Sequence, residues 1–181
     1  MIARYQTVLD FWFNTLTPAQ WFAKSTQLDE QIREQFSALL QQASACELWQ
    51  WRNEPRGRLA EIIVLDQFSR NIFRDTPRAF QQDSLGLALA QEAVALGADQ
   101  TLTAVERSFL YMPYMHSESP SIHERAVELF NQPGLENNLD FEYKHKAIID
   151  RFGRYPHRNA ILDRTSSAEE IEFLKQPGSG F

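Results

Sequence analysis

The sequence predicts an all-α single domain, and three observations carry that expectation. Apolar residues recur at intervals of three and four in eight separate stretches. Seven glycines in 181 residues leave little room for hairpin turns, and no Asn-Gly or Asp-Gly dipeptide stands between alternating apolar runs. The hydrophobic share, 43%, with 23% charged residues, is that of an ordinary packed domain rather than a disordered chain. The length suits one domain with a full core and is short for two.

Each stretch supports one helix. Ile2, Tyr5, Leu9 and Trp12–Phe13 form the first stripe. Leu28, Ile32, Phe36 and Leu39–Leu40 form the second, and Leu59, Ile62–Ile63, Leu65, Phe68 and Ile72–Phe73 a broader third. Leu85, Leu89, Ala93 and Leu96 make the fourth, with Gly97 placed to end it. Thr103 and Glu106 have capping-box spacing and open the fifth, through Phe109, Leu110 and Met112. Ile122, Ala126 and Leu129–Phe130 give the sixth, stopped near Pro133–Gly134. Phe141, His145, Ile148–Ile149 and Phe152 give the seventh, stopped by Gly153. Ser167 and Glu170 open a last short helix through Phe173–Leu174. Eight helices on short links read as antiparallel pairs. The expected division is one domain over residues 1–175 and a flexible C-terminal tail, QPGSGF, over 176–181. No motif repeats at a fixed period of ~34 residues.

Composition narrows the function classes. The net charge of −6 argues against a nucleic-acid module, which draws most of its affinity from a basic surplus. Cys46 is the sole cysteine, so no intramolecular disulfide can form. The N-terminal stretch carries Arg4 and Asp10 within a helical period and lacks the continuous apolar core of a signal peptide. No run approaches the ~18 apolar residues of a membrane span. A cytoplasmic protein is the expectation.

Polar residues where core is expected mark the candidate site. Asp66, Gln67, Arg70, Asn71 and Arg74 share an arc of about 140° on a helix whose first half is apolar all round. Either this end emerges into solvent with an Asp66–Arg70 ion pair, or the arc lines a cleft where Arg70 and Arg74 bind an anion. In YMPYMHSE, Pro113 predicts a kink or stop that turns His116, Ser117 and Glu118 away from the helix axis. A Ser117–His116 nucleophile pair lacks the geometry that adjacent residues rarely reach, and no G-x-S-x-G surrounds it. Metal ligation by His116, Glu118 and His123 lacks any recognised spacing, so neither metal nor cofactor is expected. His145 lies on a core stripe, where a satisfied core histidine competes with an acid–base group. The loop Arg151–Asn159 packs Arg154, Arg158 and His157 around Gly153 and Pro156, as helix-capping cations or as an anion-binding loop.

The blocks LDQFSRNIFR, ERSFLYMPYMHSE, FEYKHKAIIDRFGRYPHRN and SSAEEIEFL, with VLDFWF and Trp21–Phe22 ahead of them, resemble the bacterial domain-of-unknown-function family 924 over nearly the whole chain. The resemblance implies a tetratricopeptide-like all-α fold. That family has no settled activity, so it assigns no catalytic residue. It also leads one to expect glycine where this chain has Asp163.

Three functions follow as expectations. The first is a cleft for a small anionic molecule, with Gln67, Arg70, Asn71, Arg74, Arg154 and Arg158 binding and Asp66, His116 and His145 as orienting or acid–base groups. It requires the arginines to converge in space. The second is a groove for a peptide or protein partner, drawing on Trp12, Trp21, Trp49 and Trp51. The third is purely structural: polar networks that fix helix packing.

Overall fold

In the computed structural model, which describes residues 4–181, the chain is helical and contains no strand among those residues. Helix α1 (Tyr5–Leu9) runs into a π turn, Asp10–Thr15, and is followed by the one-turn α2 (Pro18–Trp21) and by α3 (Thr26–Ser44). A 3₁₀ turn, Trp49–Asn53, leads into α4 (Pro55–Ile63), which continues through a second π turn, Val64–Phe68, into α5 (Ser69–Ile72). A 3₁₀ turn, Pro77–Phe80, precedes α6 (Asp83–Ala95), and α7 (Ala104–Met115), α8 (Pro120–Phe130) and α9 (Glu136–Phe152) follow. The 3₁₀ turn Pro156–Arg158 and the short α10 (Ala168–Leu174) complete the fold. With rods joined through π turns counted once, nine helices lie among the described residues. The one with no apolar stripe behind it is α2, too short to show a period.

The ends of these helices follow local chemistry. Ser25 accepts the Leu28 N–H at 3.2 Å to start α3. Thr103 accepts the Glu106 N–H, while the Glu106 carboxylate accepts the Thr103 N–H at 3.0 Å. Ser167 and Glu170 repeat that box on α10. Pro55 and Pro120 occupy first-turn positions, where the missing N–H costs nothing. Gly153 closes α9 in the left-handed region at φ 68°, a conformation that costs a side-chain-bearing residue energy. Pro113 does not stop α7, which runs on to Met115.

The core is built around the rod of residues 55–72. From Leu59 to Ser69 every side chain on it is buried, because helices pack on all of its sides. Phe68 meets Phe36 of α3 at a ring distance of 4.6 Å and the edge of Trp12 at 5.7 Å, and Trp12 meets Phe109 of α7 at 5.5 Å. Consecutive helices α6, α7, α8 and α9 pack each on the next, as short links require. A smaller apolar cluster, Ile148, Ile149 and Tyr155, seats α9 on the final turns.

Three of the expected core positions differ. Phe141 is 45% exposed, Leu96 64% and Leu174 36%. The buried face of α9 is turned toward Glu142 and His145, which leaves Phe141 outside; Leu96 is the C-cap just past the end of α6, and Leu174 ends the short α10. Ile2, assigned to the first stripe, lies outside the described residues. The ring of Phe181, in the segment read as a tail, stacks on His145 with ring centroids 3.7 Å apart. No helix among the described residues is long and apolar enough to cross a membrane.

Candidate functional site

The site begins on the buried rod, at its π turn. Widening the helix by one residue there places Asp66 and Gln67, 1% and 6% exposed, among side chains rather than toward water. A buried carboxylate demands partners, and Asp66 has three. Gln67 donates Nε2–H to Oδ2 at 2.8 Å, Arg70 donates from Nη1 to Oδ1 at 3.2 Å, and His116 Nδ1 lies 2.7 Å from Oδ1. Burial by itself pushes the Asp66 carboxyl up, but His116 and Arg70 through their charge, and the hydrogen bonds from His116 and Gln67, outweigh it and hold the group ionised. Burial, with the Arg70 charge, holds the His116 imidazole below its ordinary value. With Asp66 ionised, His116 in its neutral form carries its proton on Nδ1, donates it to Asp66, and keeps a lone pair on Nε2.

Four chain segments converge on this pair. The end of α7 supplies His116. The turn Pro77–Phe80 supplies Arg78 and Phe80, and the first residue of α6 is Asp83. The turn Pro156–Arg158 supplies Arg158. Asp83 receives Arg70 on both oxygens, at 2.8 and 3.0 Å. Arg158 stands 3.6 Å from the same carboxylate, an ion pair too long for a hydrogen bond. It donates Nη2–H to the His116 carbonyl at 2.9 Å, and its guanidinium sits 4.6 Å from the ring centres of both Phe80 and Tyr155. Its Nε is buried without a partner.

These residues border a cleft of about 500 Å³. Its apolar lining includes Pro77, Phe80, Leu87, Pro113 and Leu162. Its polar lining includes Arg78, Asp83, His116, Ser117, Glu118 and Arg158. Its carboxylates are saturated: Asp83 by Arg70, and Glu118 by a two-point pair with Arg164 at 2.8 and 2.9 Å and by the Tyr155 N–H at 2.8 Å. Its cations are not. Arg78 is exposed, rests on the Phe73 ring at 3.7 Å, and forms no ion pair among the described residues.

Of the residues the sequence singled out, Asp66, Gln67, Arg70, His116 and Arg158 join one network, of which His116 and Arg158 line the cleft and the other three lie behind it. The others go elsewhere. Arg74 and Asn71 both bind Asp29 of α3, Asn71 at 2.8 Å, and tie that helix to α5. Arg154 pairs with Glu170 of α10 at 2.7 and 2.8 Å. His145 faces the Phe141 carbonyl through Nδ1 at 2.7 Å, and burial pushes its imidazole down to about 3. Ser117 gives its hydroxyl oxygen to the Ser119 N–H, not to His116. His123 turns inward: Nδ1 is 2.6 Å from Glu142, and Nε2 is 2.8 Å from the Ser117 carbonyl. His116, Glu118 and His123 thus serve separate networks, and no group of three or more His, Cys, Asp or Glu among the described residues could hold a metal ion. Trp12 and Trp51 are buried and Trp21 is half-buried, while Trp49 is exposed.

Asp83, Arg78 and Phe80 escaped the sequence reading. An acidic residue in a first helical turn is a common dipole partner, and a loop arginine is common surface, so neither pattern signals a site.

Among curated proteins none matches the chain. A solved structure of a protein of unknown function from Agrobacterium tumefaciens is similar to it, with 36% identity, a TM-score of 0.90, and coverage of 94% of this chain and 96% of that one. A family profile described as a bacterial protein of unknown function, DUF924, matches residues 8–178, and the chain belongs to that family.

Proposed function

We propose that the cleft is a small-molecule site, in which Arg158 and Arg78 hold an anionic ligand and His116 acts as a general acid–base group. The observation that carries this reading is the 2.7 Å contact between His116 Nδ1 and the buried, ionised Asp66. It fixes the imidazole orientation and leaves Nε2 without a protein partner on a residue that borders the cleft. The carboxylate behind Nδ1 fixes the tautomer and the ring plane, while burial and the Arg70 charge hold the imidazole below its ordinary value, so that Nε2 is free to accept a proton at neutral pH. The anion assignment draws on the imbalance of the wall, where the carboxylates are satisfied and two arginines are not. Arg70 acts through Asp66 and Asp83 rather than on the ligand. The stacking of consecutive helical hairpins is compatible with a tetratricopeptide-like array, and the lone cysteine with a cytoplasmic setting; both belong to this proposal.

Ligand-induced thermal stabilisation across a panel of small organic anions tests it, because a ligand of the folded state raises apparent stability. Wild type is expected to respond to a subset of the panel, Arg158→Gln to lose the response, and His116→Gln to keep binding with an altered pH profile. A response equal in wild type and Arg158→Gln sinks the assignment.

A further inference from the structure

The charges on the cleft wall select among anions. We propose that Asp83 is the specificity-determining residue of this cleft, restricting it to organic monocarboxylates with an apolar body and turning away dianions such as inorganic phosphate. The inference rests on the small-molecule reading above and deepens it.

Arg158 is the cation best placed to take a ligand oxygen. It is 6% exposed, has one close hydrogen bond, and leaves Nε unpartnered. A buried arginine so sparsely satisfied has unused donor capacity, and a planar carboxylate matches a guanidinium fixed between two rings. Its neighbour Asp83 already fills part of that demand from 3.6 Å. Arg70 anchors Asp83 through two hydrogen bonds, so the carboxylate stays beside any anion that arrives. Glu118 adds a second negative charge on the same wall.

A monoanion at Arg158 gains one ion pair against that background. A dianion doubles its attraction to the arginines and its repulsion from Asp83 and Glu118 alike, so the two carboxylates cancel much of what its second charge would gain, while its larger desolvation cost is left unrepaid. The apolar part of the lining, with Phe80, Leu87, Pro113 and Leu162, rewards a ligand whose remainder is apolar, and inorganic phosphate has none.

The test titrates benzoate and inorganic phosphate, at about pH 8 where phosphate is mainly dianionic, into wild type, Asp83→Asn, Ser84→Asp and Arg158→Gln, by calorimetry or by amide shifts. Wild type is expected to bind benzoate at least about tenfold more tightly than phosphate. Asp83→Asn should improve phosphate by about tenfold and benzoate by much less. Ser84 is exposed at the rim, so Ser84→Asp adds charge without disturbing the core and should weaken phosphate more than benzoate. That variant carries the comparison if Asp83→Asn fails to fold. Equal affinities in wild type, or equal factors for both probes in Asp83→Asn and Ser84→Asp, overturn the role of Asp83 while Arg158-dependent benzoate binding keeps the cleft. Absence of Arg158-dependent binding of either probe overturns the cleft itself.

Discussion

Asp66 and His116 stand fifty positions apart in sequence and 2.7 Å apart in space. The contact joins the π turn of the central rod to the end of α7, so a local irregularity in each helix meets the other. A carboxylate buried to 1% exposure is costly unless it is paired, and here Arg70, Gln67 and His116 share that task. The same atoms serve packing and the proposed chemistry, and the two roles separate only where a residue holds one without the other.

Arg74 and Arg158 provide that separation. Arg74 ties α3 to α5 through Asp29 and lies outside the cleft. Arg74→Leu leaves the Asp29 carboxylate with Asn71 alone and should cost about 2 kcal/mol in urea unfolding, with ligand response unchanged. Arg158→Gln removes a cation with few hydrogen bonds and should change stability by less than about 1 kcal/mol while abolishing ligand response. If Arg158→Gln instead unfolds the protein and no anion stabilises wild type, the polar blocks are packing networks only.

Histidine burial sets a pH dependence. His116 is held below its ordinary value, His145 is pushed down to about 3 and His157 to about 4, chiefly by burial in each case. Each binds a proton more readily unfolded than folded, so stability rises with pH through this window. The contribution is fully present above the ordinary imidazole value of 6.5, and falls as pH drops from there toward the folded values. Midpoints of urea unfolding should decrease steadily between about pH 7 and pH 4.5. His145→Phe should flatten that slope, since its ring already stacks on Phe181 and edges Tyr155. An unchanged slope in that variant would place the dependence elsewhere.

The fold was legible because apolar periodicity and caps are local: Thr103 with Glu106, Ser167 with Glu170 and Gly153 all do what their spacing implies. Phe141 was misread because a helix rotates to satisfy its most demanding partner. On α9 that is Glu142, which meets His123 across 2.6 Å. Asp66, Gln67 and Arg70 stood out as polar residues on a rod apolar on every side. Sequence could not separate Arg70 and Arg158 from Arg74 and Arg154, since a charge does not reveal its partner. Asp29 and Glu170, which claim the latter pair, lie 45 and 16 positions away.

Gly57 marks a close approach that has nothing to do with the cleft. A Cβ at this position would lie 2.1 Å from the Trp51 carbonyl oxygen and 2.9 Å from its carbon. The obstacle is backbone in a 3₁₀ turn that Arg52 pins to Glu61 by hydrogen bonds of 2.7 and 2.8 Å, so it cannot step aside cheaply. Gly57→Ala, normally favourable inside a helix, should here cost more than about 3 kcal/mol. A melting temperature equal to wild type would show that the turn yields.

Asp163 offers the opposite substitution. Its φ of 54° lies in the left-handed region, where glycine, the residue the family resemblance led one to expect here, sits without a Cβ penalty. Aspartate tolerates that region better than most residues but still meets its own carbonyl through Cβ. The side chain is exposed and enters no ion pair among the described residues, so removing it forfeits no contact. Against the relief of strain stands the greater freedom of glycine in the unfolded chain, which offsets part of the gain. Asp163→Gly should therefore raise stability by about 0.5 kcal/mol, a shift of about 1–2 °C for a domain of this length. Asp163→Ala, which keeps the Cβ and lacks the tolerance of aspartate for the left-handed region, should lower it. If both variants melt alike, the backbone at this turn is not under strain.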